Sequence, residues 1–267
     1  ACRQNLAVHH AQYQELAEAL SEGKVSVGDA EEALLAMKNP YDTIALQAAG
    51  IGYRADYAYH NGKYYVYFGI VPVLLLYLPY YLLTGGALQN YVAVFVFFAG
   101  FIIAAAGFVY ELMKRYFKEQ PFYLWAVGTG MLVGSYSMFY LLIRPDLYHV
   151  PIVASAMFAT GGLWLYLAGL NRPKKAVGLY AFGSFCMALT AGCRPQFILF
   201  AALAVVLFWE RVFVKRELFS KKGWRQTAAL VVPYVLIAAG LMAYNALRFG
   251  SPFDFGASYS MTSNDMT

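Results

Sequence analysis

Tyr91-Val-Ala-Val-Phe-Val-Phe-Phe-Ala-Gly-Phe-Ile-Ile-Ala-Ala-Ala-Gly-Phe-Val-Tyr110 runs for twenty residues without one charged side chain. A helix rises about 1.5 Å per residue, so this stretch is about 30 Å long and matches the hydrocarbon thickness of a bilayer. Further apolar runs lie at Tyr65 to Leu83, Phe122 to Ile143, Tyr148 to Leu170, Ala176 to Ala191, Gln196 to Trp209 and Thr227 to Leu247. Charged residues make up 13% of the chain and the mean hydropathy is +0.50, whereas soluble domains carry about a quarter charged residues. Such a composition cannot cover a water-facing surface. The fold class expected is an all-α integral membrane protein, a polytopic bundle of about six or seven helices.

Six of the runs read as ordinary spans. The first, Tyr65 to Leu83, carries Pro72 and Pro79; each removes a backbone donor and bends a helix, so this run either spans or re-enters. Tyr and Trp gather where apolar runs meet polar loops, as expected of headgroup-level anchors. Gly128, Gly130 and Gly134, and the segment Tyr77 to Gly86, read as helix-packing devices.

Residues 1–63 differ from the rest. They hold eight of the fifteen acids and five of the twenty basic residues, which makes them a polar region of short helices and loops. Tyr13, Leu16 and Leu20 predict a helix over Ala11 to Glu22, and Asp29 is the candidate cap of a second over Ala30 to Met37. Asn39-Pro40-Tyr41-Asp42 is turn chemistry. Asn61-Gly62, between Tyr57-Ala-Tyr-His60 and Lys63-Tyr-Tyr-Val-Tyr67, predicts a two-stranded hairpin at the membrane surface. The organisation expected is therefore an outer region over 1–63, a helix bundle over 64–250, and the start of another outer loop over 251–267. The polar end at Ser258 to Thr267 and the first residue, Ala1, suggest a piece of a longer protein.

Loop charge sets the orientation. Lys114, Arg115 and Lys118, then Arg172, Lys174 and Lys175, then Arg211, Lys215, Arg216, Lys221, Lys222 and Arg225 occupy alternate loops, twelve basic residues against Arg144, Arg194 and Arg248 on the other face. Short cytoplasmic loops are enriched in Lys and Arg, so the twelve mark the cytoplasmic side. Gly85 to Asn90 is then outside. A full first span would place residues 1–63 inside and a re-entrant one would keep them outside; the sequence leaves both open.

Three lone arginines remain on the sparsely charged face. Each ends an apolar run, and each either snorkels to interface water or offers its planar fork to a lipid phosphate. Asp42, Asp56, Asp146 and Asp254 fall in outer loops. Such acids serve as turn and cap residues or as general bases, and Asp42 fits either role. His9, His10, His60 and His149 match no metal-ligand spacing, so a divalent metal stays open as a cofactor without an assigned site. The three cysteines form neither a disulfide framework nor a zinc motif. Nucleotide-binding, serine-hydrolase, zinc-protease and nucleic-acid motifs are absent from the sequence.

Asp56-Tyr-Ala-Tyr-His-Asn-Gly-Lys-Tyr-Tyr-Val-Tyr-Phe-Gly-Ile-Val-Pro72, leading into Leu78-Pro-Tyr-Tyr-Leu-Leu-Thr-Gly85, resembles the segment after the first outer loop of bacterial multi-pass glycosyltransferases of the GT-C superfamily. Gly192-Cys-Arg-Pro-Gln196 and Tyr244-Asn-Ala-Leu-Arg-Phe-Gly-Ser-Pro-Phe-Asp-Phe-Gly256 resemble two further segments of that group. The resemblance implies sugar transfer from a polyprenyl-phosphate carrier to a glycan, lipid or protein acceptor on the outer face of a bacterial cytoplasmic (inner) membrane. It implies a first-loop acid as base, Asp56 or Asp42. Arg194, Arg248 and Arg144 would hold the phosphate, and Lys63, Tyr64, His60 and Asp254 would contact the acceptor. In that group the early acid follows a first membrane helix; here His9-His10-Ala-Gln-Tyr13 occupies that place. A lipid-linked saccharide transporter, or a non-catalytic subunit that binds such lipids, is the alternative of another class. A bare membrane anchor is the third reading.

Overall fold

The structure, a computed structural model, describes residues 11–135, 138–220 and 223–262, without the side chain of Phe219. The chain divides into two compact units. One joins the residues up to Gln89 with those from Gly240 onward; the other runs from Asn90 to Ala239.

The first unit begins with α1, Gln12–Ser21. Its Tyr13, Leu16 and Ala17 recur at helical spacing and are fully buried. Gly23, at φ +75°, ends it: Lys24 N–H donates to Ala19 O at 2.8 Å and Gly23 N–H to Leu20 O at 3.1 Å, a Schellman closure that requires a left-handed residue. The hairpin forms as β2, Ala58–His60, and β3, Lys63–Tyr65. Asn61 and Gly62 both adopt positive φ, +50° and +79°, the primed turn that matches strand twist. The expected two-stranded ribbon is in fact a three-stranded sheet in the order β1-β3-β2, because β1, Gly28–Asp29, pairs antiparallel with β3. Asp29 therefore does not cap a helix. It lies opposite Lys63, Ala30 N–H donates to Gly62 O, and the expected helix shrinks to α2, Glu32–Leu35, preceded by Glu31. α3, Thr43–Ala48, follows.

The carboxy-terminal segment folds into this unit. Ala58 bridges Ser260, Met261 N–H donates to Tyr57 O at 2.9 Å, and Asp56 N–H donates to Met261 O at 3.0 Å. Thr43 Oγ1 donates to Thr262 O at 3.1 Å. After the sheet comes α4, Ile70–Thr84, opened by Gly69 at φ +82° and closed by Gly85 at φ +67°. A π-turn over Val73–Tyr77 sits between Pro72 and Pro79, where prolines deprive the helix of regular donors.

The second unit is helical. α5 is Asn90–Tyr116, α6 Tyr123–Ser135, α7 Met138–Ile143 and α8 His149–Asn171. α9 covers Pro173–Cys193 with a 3-10 first turn, and α10 covers Pro195–Val214. α11, Trp224–Phe249, is one continuous helix that begins in this unit and ends in the first. Among the described residues, five helices, α5, α8, α9, α10 and α11, are long and apolar enough to cross a membrane. The sixth expected span, Phe122 to Ile143, corresponds to α6 and α7 on either side of Tyr136 and Ser137, which lie outside the described residues. Small residues let the long helices meet. Gly100 faces Met157, Gly107 faces Trp164, and a Cβ on Gly162 would stand 2.9 Å from the Gly183 carbonyl. Of the glycines expected to do this, Gly128 faces Val109, its Cβ position 3.2 Å from Val109 Cγ1, whereas Gly130 and Gly134 have nothing within 4 Å of a Cβ among the described residues.

Candidate functional site

Most of the outer-face candidates lie in the first unit, around the three-stranded sheet. Its middle segment is fixed by a triad that local sequence patterns do not reveal. Arg54 ion-pairs with Glu15, donates to Tyr57 Oη at 2.9 Å and to Val27 O at 3.2 Å, and stacks 4.1 Å above the Tyr57 ring. Tyr57 Oη in turn donates to Glu15 Oε2 at 2.8 Å. Burial, then the Glu15 carboxylate, raises the Tyr57 phenol far above its ordinary range. Tyr57 is therefore a neutral donor.

Asp56 lies between those two residues. Its φ is +63°, a left-handed conformation that Asp tolerates better than most side chains. Both of its backbone groups are held: N–H donates to Met261 O, and O accepts from Gln12 Nε2 at 3.0 Å. The half-buried Asp56 carboxylate thus projects from a backbone fixed at the junction of α1, the sheet and the carboxy-terminal segment. Asp42 has a local duty. Its Oδ1 accepts from Ala45 N–H at 2.9 Å and caps α3.

The acceptor candidates separate by face. His60 and Lys63 are register partners, and Asp29 stands opposite Lys63 on the other side, so three polar residues form one row across the sheet. Lys63 reaches a cleft of about 430 Å³ that is also lined by Glu15, Glu18, Glu22, Lys24 and Asp29. Acids and amines set side by side in this way suit a hydroxyl-rich ligand, since both hydroxyl lone pairs and protons find partners. Tyr64 points the other way and is buried, with its ring 5.9 Å from Tyr59 and 6.2 Å from Tyr57. It is part of the core, and burial raises its phenol pKa.

A second group gathers around His60. The Tyr259 ring lies 4.5 Å from the imidazole, and Phe249 and Tyr41 also pack on Tyr259. Asp254 accepts Gly256 N–H at 2.8 Å and hydrogen-bonds the Tyr259 phenol, which raises that phenol's pKa. Tyr41 donates to Tyr59 O at 3.0 Å, and burial pushes its phenol up to about 12. His60 and Asp254 are thereby brought together through Tyr259. The sequence shows Tyr41 only as part of a turn and gives Tyr259 no signal, because both look like interfacial tyrosines among twenty-three.

The three arginines have unlike surroundings. Arg248 is 4% exposed. Its Nη1 donates to Val66 O and its Nη2 to Asn245 Oδ1, each at 2.7 Å, and its guanidinium stacks 4.0 Å from the Tyr244 ring. Asn245 Nδ2 donates onward to Pro252 O at 3.3 Å. Expected at headgroup depth with its fork turned to phosphate, Arg248 instead ties α11 to the chain after the hairpin. Arg194 and Arg144 belong to the second unit. Arg194 ends α9 in extended backbone, half-buried, 5.4 Å above the Tyr148 ring. Arg144 is exposed, 5.9 Å above the Tyr140 ring. Asp146, beside it, accepts from Tyr148 N–H at 3.0 Å and His149 N–H at 3.3 Å in the turn that leads into α8.

Among the described residues, no group of three His, Cys, Asp or Glu side chains is placed to hold a metal. His9 and His10 lie outside the described residues. Compared with family models, with curated proteins and with solved structures, the chain matches none.

Proposed function

We propose that the chain is a membrane glycosyltransferase that moves a sugar from a polyprenyl-phosphate carrier to an acceptor hydroxyl on the extracytoplasmic face of a bacterial cytoplasmic membrane. The observation that carries the reading is Asp56, a carboxylate held in left-handed backbone by bonds to both of its peptide groups. Strained positions of that kind persist where surrounding structure over-determines them, and they concentrate at functional sites. In the proposed step the Asp56 carboxylate takes the acceptor hydroxyl proton. The acceptor oxygen bonds to the anomeric carbon with inversion, and the bond from that carbon to the carrier phosphate breaks. The leaving phosphate keeps the electron pair. In the second unit, Arg194 and Arg144 carry planar forked donors of the kind that fits a lipid phosphate. Lys63, His60 and Asp254 offer polar contacts to the acceptor.

Transfer from a labelled polyprenyl-phosphate sugar by the full chain in membranes tests this. Asp56→Asn keeps the backbone conformation, since Asn also tolerates positive φ, and is expected to lower turnover at least about 100-fold. Asp42→Asn keeps the α3 cap and is expected to transfer normally, whereas Asp42→Ala costs about 1 kcal/mol of stability. Unchanged turnover in Asp56→Asn eliminates Asp56 as base. Donor binding without transfer in the unaltered chain would favour the transporter or lipid-binding subunit.

A further inference from the structure

We infer that α4 does not cross the membrane but lies along its outer interface, with the Leu74, Leu75, Leu82 and Leu83 face in lipid. This goes beyond the catalytic proposal and does not depend on it.

Length comes first. The fifteen residues of Ile70–Thr84 reach about 22 Å at about 1.5 Å each, short of the roughly 30 Å of a hydrocarbon core. The packing is equally restrictive. α1 covers one face of α4 through both its π-turn and its last turns. The Tyr13 and Tyr77 rings lie 5.4 Å apart, and a Cβ on Gly69 would stand 2.6 Å from Tyr13 Oη. α1 carries Glu15, Glu18 and Glu22, and Glu15 is paired with Arg54. A spanning α4 would draw those carboxylates towards hydrocarbon, where a charged side chain costs several kcal/mol.

Chain connectivity gives an independent reason. Residues 56–58 are hydrogen-bonded to residues 260–261, so both segments lie on one side of any membrane. The charge distribution places the end of α11 outside and the start of α5 outside as well. The chain between Tyr65 and Asn90 therefore leaves the outer side and returns to it. α4 is the apolar helix in that interval, and no charged residue occurs between Lys63 and Glu111. Its uncovered face is apolar, with Leu82 64% and Leu83 86% exposed. The occupant these observations select is lipid, because an uncharged helix with one face covered and the other bare, followed after residues 85–89 by a helix apolar enough to span, buries that face among acyl chains.

Single cysteines at Lys63 and Ala87 bracket α4, and one at Lys118 reports the opposite side; the unmodified chain gives the background from Cys2, Cys186 and Cys193. A membrane-impermeant maleimide added to oriented vesicles is expected to label Lys63→Cys and Ala87→Cys from the same side, and Lys118→Cys from the other. Labelling of the first two from opposite sides overturns the inference. Depth provides a second measurement, read on chains already shown to be folded. Fluorophores at Leu75→Cys and Leu82→Cys, seven residues apart, are expected to be quenched equally by lipids brominated near the headgroup. A depth difference of about 10 Å between them would mean a spanning helix and sink the proposal.

Discussion

The bundle from Asn90 to Ala239 closes on glycines, whereas the unit around the sheet closes on hydrogen bonds between segments far apart in the chain. α5, α8 and α9 satisfy their own peptide groups, as any membrane helix must, so what they need from one another is shape. Gly162 and Gly183 provide it by letting two backbones approach. Where the bundle buries a charge it pairs it: Glu111 accepts from Arg172 at 2.5 Å and from Asn171 at 2.8 Å. The other unit has short strands and long loops whose peptide groups have no local partner. Side chains and distant backbone complete it: Gln12 on Asp56, Thr43 on Thr262, Arg248 on Val66. The bundle thus leans on close backbone approach at Gly162 and Gly183, and the other unit on bonds between segments distant in sequence.

Arg248→Ala attacks the second kind of closure and carries the largest expected effect. It strips a buried carbonyl and a buried amide of a charged donor, at about 1.5–3 kcal/mol for each such bond, so a loss of about 3 kcal/mol or more is expected. Arg248→Lys keeps the charge without the fork and should fall between. Hydrogen exchange locates the damage: amides of 56–66 and 257–262 should lose protection while those of α8 and α9 keep theirs. Equal loosening of both units would break the comparison.

The same contrast decides what the sequence discloses. A membrane helix is written in its own twenty residues, and the Asn61-Gly62 turn in two, because the demand for positive φ is local. β1 is invisible because nothing in Gly28-Asp29 makes a strand; its partners, Tyr64 and Lys63, stand 36 and 34 residues on. The Arg54 triad was invisible for the same reason, with Glu15 39 residues away from Arg54. Arg248 is visible in the sequence, but its structural partners are not. Its place at the end of an apolar run suggested lipid phosphate, while its partner, Val66, is 182 residues distant. Asp42 was legible as a cap because a cap acts three residues ahead.

Gly162→Ala tests the closure of the bundle. The added Cβ meets the Gly183 carbonyl at 2.9 Å, backbone that cannot rotate away, so α8 and α9 must separate. Overpacking of this kind costs about 1–3 kcal/mol. The reciprocal exchange pattern is expected, with loss of protection in α8 and α9 and an unaffected hairpin. A stable variant with unchanged exchange would show that the glycines are not what holds these helices together.

The smallest effect is silent at neutral pH and separates the units by titration. Tyr41, Tyr57, Tyr64 and Tyr259 all lie outside the membrane helices, and the fold raises the phenol pKa of each, Tyr41 to about 12. An unfolded tyrosine ionises near 10. Below that pH both states are neutral and the phenols contribute no pH dependence. Above it the unfolded chain loses protons that the folded one retains, so stability falls as pH rises from about 10 through about 12. Tyrosinate absorbance on a pH ramp should show a late-titrating group whose ionisation coincides with loss of the hairpin amides. Tyr41→Phe removes the bond to Tyr59 O but also the phenol that must ionise, so it should make the unit slightly weaker at pH 7 and less sensitive at pH 11. If the late phenols titrate without any change in hairpin protection, the ring cluster does not help to hold the sheet, and the hydrogen bonds of Arg248, Gln12 and Thr43 hold this unit without it.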